Sequence, residues 1–425
     1  MRSIGSVVSA AVAVLALNGC ASSGAVKAAE RGDLPTLKKQ LADGLKSGSL
    51  STGESRSVAQ ALASREVKQA KGEEGVVRID DVLGCVRELE GTLDDKAREK
   101  DATAARAAFA LVDAHLEGSR WVDKVNSDDA SWRAVGARSL VDQSGATKRR
   151  ELFVDLDTQV RRAALSAALD APFVEDAPVL LETVRLDPDR LSRTLAARAV
   201  GAIGGRTVVL ALKDRWAAAD EPLRATFASA WASPASAKEG GLDQLLWAAE
   251  SEQGVPSLTA SATLLRFGGK EANIGAAALA RAIENGSTNT RTIAIAFANL
   301  DRPEHREAVK KAAEDADQGV KVAALGKLGI LKDERAHALE ELGVIAASDS
   351  PHRNAARTAM AQLRDRRVVA LLAADLSSSK PGVRMWAAQT LAGMHELPQA
   401  AQALADDDVA VRTRVACSIL SSPRQ

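Results

Sequence analysis

From about residue 100 to the end of the chain, apolar residues recur at helical spacing, and no run alternates for long enough to read as a strand. The helical segments come in pairs. The first of each pair is a stretch such as VVLALKDRWAA (208–218), LDQLLWAAE (242–250), IGAAALARAIE (274–284) or HALEELGVIAA (337–347). A turn rich in Asp, Asn, Ser, Pro or Gly follows, and then a second apolar-periodic segment begins. Gly204-Gly205 and Gly268-Gly269 fall where a second segment should end, as helix-terminating glycines do.

The second segments share an opening pattern. DTQVRRAALSAAL (157–169) and DVAVRTRVACSIL (408–420) both place an acid, an apolar anchor and then a base ahead of small apolar residues. The same spacing joins Asp129 to Arg133, Asp220 to Arg224, Asp317 to Lys321 and Asp349 to Arg353, as it joins Asp157 to Arg161 and Asp408 to Arg412. Arg384 follows Lys380 in place of an acid. With weaker copies included, the anchors are Trp132, Val160, Leu191, Leu223, Val255, Thr290, Val320, His352, Val383 and Val411. Successive anchors lie 28 to 35 residues apart, the spacing of a stacked array.

This D-x-x-V-R-x-x-A signature, opening the second helix of each pair, resembles the short bacterial form of the HEAT repeat. The resemblance implies an all-α superhelix of stacked helix pairs over residues 101–425. Physical reasoning gives the signature a structural role. The Asp can accept hydrogen bonds from the free amides that open a helix. The base can reach acids or carbonyls of its own or a neighbouring turn and so form a ladder. Small residues let helices approach, and Leu, Val and Ile fill the seam between them.

The start of the chain is different. Residues 1–19 carry Arg2, an apolar run to Leu17 and then small residues, which reads as a secretory signal. LNGC (17–20) resembles the lipobox of bacterial lipoproteins. The resemblance implies cleavage before Cys20 and acylation of that residue, and, because no Asp follows it, an outer-membrane anchor facing the periplasm. Residues 20–30 read as lipidated Cys and flexible tether. Residues 31–100 read as helices that cap the array, since a terminal repeat needs a polar outer face. Their opening, AAERGDLPTLKKQLADG (28–44), resembles the second half of an ankyrin repeat, with a helix ending at Gly44.

Composition narrows the function. Lys plus Arg and Asp plus Glu number 56 each, so there is no excess positive charge to displace counterions, and nucleic acid is not an expected partner. The five histidines are scattered, with none at ligand spacing from a cysteine, and no nucleophile elbow or phosphate loop is present. No catalytic, cofactor or metal residues are therefore assigned. Cys85 and Cys417 are expected to be unpaired, because they lie near opposite ends of an elongated array. Two basic clusters, KRR (148–150) with its neighbours and Arg353 to Arg367, read as solvated face and ladder. The other reading is a groove for an acidic ligand. Trp216 and Trp247, late in the first helices of their units, are candidate partner anchors. Together these features describe a non-enzymatic, membrane-anchored scaffold that binds a protein or peptide. The alternatives are an enzyme of the HEAT-like lyase or glycosylase type and a passive envelope component.

Overall fold

The computed structural model describes residues 23–70, 122–128 and 130–422, and among these every regular element is a helix. Three helices come first: α1 (Gly24–Arg31), α2 (Leu34–Ser47) and α3 (Thr52–Ala70). The array opens with α4 (Ala130–Arg138). Helix pairs follow: α5 (Ala146–Leu152) with α6 (Thr158–Asp170), α7 (Ala177–Leu186) with α8 (Arg190–Ile203), and α9 (Arg206–Arg215) with α10 (Glu221–Trp231). Next come α11 (Leu242–Ser251) with α12 (Gly254–Leu264), α13 (Gly269–Asn285) with α14 (Thr288–Phe297), and α15 (Pro303–Ala313) with α16 (Gln318–Leu328). The last three pairs are α17 (Arg335–Ala347) with α18 (Arg353–Gln362), α19 (Val368–Asp375) with α20 (Pro381–Gly393), and α21 (Leu397–Ala400) with α22 (Val409–Ser421). A 3-10 turn, Ala401–Ala405, completes the short first helix of the final pair.

The even-numbered helices from α4 to α22 stack in one row and their partners in a second. Small residues make the close approach possible. In α6 the buried stripe is Val160, Ala163, Ala164, Ala167 and Ala168. At Gly201 of α8 an added methyl carbon would lie 2.5 Å from Ala230 Cβ of α10, so only glycine fits between these helices. Gly204 ends α8 at φ 72°, a conformation that glycine adopts without steric cost.

The N-terminal helices occupy an unexpected place. They form the unit beyond the last pair, at the C-terminal end of the array. α2 lies against the 3-10 turn in the row of first helices, and α3 lies along α22 in the row of second helices. Ala25, Ala28, Leu37, Leu41, Val58 and Leu62 belong to the same apolar core as Leu391, Leu404, Val415 and Ile419. Arg56 donates to the carbonyls of Leu420 and Ser422, and Gln402 donates to the Leu41 carbonyl at 3.0 Å. α3 is a repeat helix in register: Arg56, Val58, Ala59, Leu62 and Ala63 have the spacing of Arg161, Ala163, Ala164, Ala167 and Ala168.

Several sequence expectations change here. Helix α1 begins at Gly24, inside the proposed tether, because Ser23 caps it by accepting from Val26 N. Helix α2 runs past Gly44 to Ser47 and ends at Gly48, φ 71°. Gly44 stays helical with the Leu50 side chain packed against it. Cys417 is buried and disulfide-bonded, contrary to the expectation of unpaired cysteines. Its partner can only be Cys20 or Cys85, both outside the described residues. The premise fails because α1–α3 bring the N-terminal part of the chain to the end where Cys417 lies. Asp129, the signal segment and the whole of the 31–100 segment beyond Ala70 also lie outside the described residues.

Candidate functional site

The charged signature forms a ladder between units, and the acid that receives each arginine is one the sequence reading did not single out. Asp157 caps α6 by accepting from Gln159 N and Val160 N, and Asp189, Asp220, Asp317 and Asp408 cap their helices in the same way. The arginine four residues on turns away from its own capping acid. Arg161 donates to the Asp155 and Leu156 carbonyls in the preceding turn, then reaches Asp187 of the next unit at 2.7 and 3.2 Å. Arg133 repeats this with the Ser127 and Asp128 carbonyls and with Asp155, at 3.1 Å through both nitrogens. Arg384 donates to the Ser378 carbonyl and to Asp406 at 2.6 and 2.8 Å. Arg291, in a weaker copy, pairs with Asp315.

Each receiving acid stands two residues before the cap and accepts the cap's own amide: Asp155 from Asp157 N, Asp187 from Asp189 N, Asp315 from Asp317 N and Asp406 from Asp408 N, all at 2.8 to 2.9 Å. The working unit is therefore D-x-D. The first Asp takes the previous unit's arginine, and the second caps the helix. Sequence reasoning missed the first Asp. Its signal was available in the recurring acids at i and i+2.

Four rungs depart from the rule, the first being Arg193, which bonds the Asp187 and Pro188 carbonyls but meets the next cap itself, Asp220, at 3.9 Å. Arg224 donates to the Trp216 and Ala219 carbonyls, and its acid is Glu252 at 3.5 Å. Lys321 pairs with Glu341 on a helix. At Asp349 the expectation fails: its contact with Arg353 is an exposed i,i+4 pair, and Arg357, one turn on and buried, bonds the Ala346 carbonyl and Asp375 instead. Ser350 rather than Asp349 accepts the His352 amide there. Arg412 keeps its two carbonyl bonds, to Asp406 and Asp407, at 2.8 and 3.2 Å.

These bonds set the pH response. Asp189 is held well below the usual carboxylate range by Arg162, which bonds it through two nitrogens, and Asp315 is lowered by Arg291. At Asp406 burial pushes upward, but the bonds from Arg384 and the Asp408 amide outweigh it and the net direction is down. A depressed folded pKa adds stability that is complete above the unfolded value, about 3.9 for Asp, and is lost as pH falls through the folded value. The urea midpoint is therefore expected to change little between pH 7 and pH 5 and to drop steeply below about pH 4. Major loss between pH 7 and pH 5 would contradict the ladder as the source of acid lability.

Neither basic cluster is a free cationic groove. In the first, Arg138 pairs with Asp170, Lys148 with Glu151, Arg150 with Asp176 and Arg162 with Asp189. Arg149 is 0% exposed and pairs with Asp176, also 0% exposed. In the second, Arg366 pairs with Glu396 and Arg367 with Asp365, while Arg364 donates to the Gly393 carbonyl. His305 is buried between helices, with Nε2 against the Ala276 carbonyl and Nδ1 against Asn299 N. Among the described residues no group of His, Cys, Asp and Glu is arranged to hold a metal ion, and no helix is long and apolar enough to cross a membrane.

The two candidate tryptophans differ in what they offer a partner. Trp216 is 5% exposed, stacked on Trp231 at 4.8 Å with Trp247 edge-on at 5.4 Å, and its Nε1 donates to Glu252. Its ring is core and has no surface for a partner. Trp247 is 39% exposed and could take part in one.

A concavity lies where the N-terminal unit meets the array. Because the first helix of the last pair is short, α2 and α19 stand on either side of it and flank a cleft of about 530 Å³. Ala42, Leu45, Ala373 and Leu376 give it apolar walls. Lys38, Asp407, Gln399 and Gln402 supply polar groups. Gln399 Oε1 is buried without a hydrogen-bond partner.

No family model matches the chain, and no curated protein does. Among solved structures, an engineered protein aligns over 72% of this chain and 98% of its own, at 17% identity and a TM-score of 0.28. A likeness that low carries no argument about fold or function.

Proposed function

We propose that the chain is a non-enzymatic scaffold of the short bacterial HEAT type, tethered in the cell envelope through an acylated Cys20 and binding a protein or peptide. The observation that carries the reading is the cleft between α2 and α19. Its volume suits a ligand of modest size, and it pairs apolar walls with a few polar groups, Lys38, Asp407 and Gln402 among them. The ladder charges support the reading indirectly, since they are spent on holding units together rather than gathered at a reactive centre. With Cys20 acylated, Cys85 is the remaining partner for Cys417.

The test is photo-crosslinking in native cells, with the reactive residue at Ala42 in the cleft wall and, separately, at Trp247. Both are run in the wild-type chain and in Cys20→Ala. The expected result is one discrete protein captured from Ala42 and lost, or strongly reduced, in the unanchored chain. Capture from Trp247 alone would move the binding site along the same row from the cleft to α11. Equal capture of abundant bystanders at both positions would contradict the scaffold reading.

A further inference from the structure

The terminal unit treats its charges differently from the array. Lys27 and Arg31 on α1, and Lys38, Lys39 and Lys46 on α2, are exposed, and none makes an ion pair among the described residues. Arginines of the array are largely neutralised by acids of the next unit. The same two helices carry only Glu30, Asp33 and Asp43 as acids, and Asp33 is engaged in capping α2 by accepting from Thr36 N. These five bases face three acids, Glu30 and Asp43 among the lysines on the exposed side, so an excess of two positive charges sits at one end of an otherwise balanced molecule.

Its position relative to Cys20 gives it a use. Ser23, the first described residue, is three positions after Cys20, and a fully extended chain covers about 3.5 Å per residue, so the leash reaches only about 10 Å. That is close to the Debye length of about 8–10 Å at physiological salt, within which a lysine still senses a charged surface. Gly24, where α1 begins, lies tightly against the Gln40 side chain, so the leash leaves beside the middle of α2, next to Lys39.

We propose that the exposed face of α1 and α2, through Lys27, Arg31, Lys39 and Lys46, docks on the anionic phospholipid headgroups of the membrane that holds the anchor. This deepens the anchored-scaffold reading and takes its orientation from it. The end of the array formed by the chain's N-terminal helices rests on the bilayer, and the remaining units project from it, α4 farthest along the array. Acyl chains and basic residues then act as two joined signals, the acyl chains supplying buried hydrocarbon and the cations supplying charge attraction.

The test uses the mature chain with Ala21 as its first residue, which carries no acyl group. It is sedimented with vesicles of phosphatidylcholine alone or mixed with phosphatidylglycerol, over a series of salt concentrations. Binding is expected only to the anionic vesicles and should weaken as salt rises. The combined variant Lys27→Gln, Arg31→Gln, Lys39→Gln, Lys46→Gln should bind at least about tenfold more weakly while keeping its helical spectrum and melting temperature. Equal binding to both vesicles, no binding to the anionic ones, or an unchanged folded variant would overturn the proposal. Acylation is read separately, by fatty-acid labelling of the wild type and Cys20→Ala in cells. Absent labelling with intact vesicle binding removes the anchor and leaves the surface, whereas the reverse removes the surface alone.

Discussion

Asp176→Ala is expected to destabilise the array by about 3–5 kcal/mol, the range for breaking a buried ion pair by removing one partner. The carboxylate and the Arg149 guanidinium are both completely buried. Arg149 also donates to the carbonyls of Leu140, Ala167 and Ala171, and its carbon lies 4.7 Å from the Phe173 ring centre. One side chain on α5 thus joins the end of the α4 unit, the C-terminal turn of α6 and the approach to α7. Without Asp176 the guanidinium stays buried and only partly compensated. Urea denaturation of the single variants and of Arg149→Met with Asp176→Leu checks this. The double variant should lose clearly less than the two single losses added together, because it strands no charge. Simple additivity would show that the pair does not act as a unit.

Leu62→Asp is expected to release the N-terminal unit from the array. Leu62 is fully buried in the core shared by α3 and the last pair. A carboxylate there meets no cation in a core of Ala, Val and Leu, so the loss should reach about 4 kcal/mol or more, the range of the severest single changes. The consequence should be local first. Helices α1–α3 cannot hold together as an isolated unit of this size, and without them the last pair loses its covering neighbour. Limited proteolysis should cut within residues 23–70 early, while the fragment from α4 to α16 stays protected. Lys39→Gln, an exposed change on α2, serves as the control and should move stability by no more than about 0.5 kcal/mol.

The periodic part of the fold was legible because each unit repeats the same local solution. An Asp that caps, an apolar anchor and small residues at helical spacing are visible in sequence at Asp157, Val160, Ala163 and Ala164. The destination of the arginines was not. Arg161 and Asp187 are 26 residues apart and meet only because successive turns stack on one edge. Asp349 shows the limit of reading by alignment: it occupies the signature position, yet Ser350 does the local hydrogen bonding and Arg357 carries the rung. The placement of α3 was hidden for a related reason. Its arginine and buried stripe match the other second helices, but the capping acid is replaced by Ser51, whose hydroxyl accepts from Glu54 N one position out of step. Nothing in one-dimensional order says that the first helices of a chain complete its last repeat. The proposed partner cleft was not legible at all: Lys38 near the start and Gln399 and Gln402 near the end of the chain converge only through that closure.

The central claim is this closure of the array by its own N-terminal helices, and a photo-reactive residue in place of Arg56 tests it most directly. Digestion and mass spectrometry of the irradiated monomer should recover the Arg56 position joined to the peptide that contains Leu420 and Ser422. Capture instead of residues in or near α4 would place α3 at the opposite end and contradict the account.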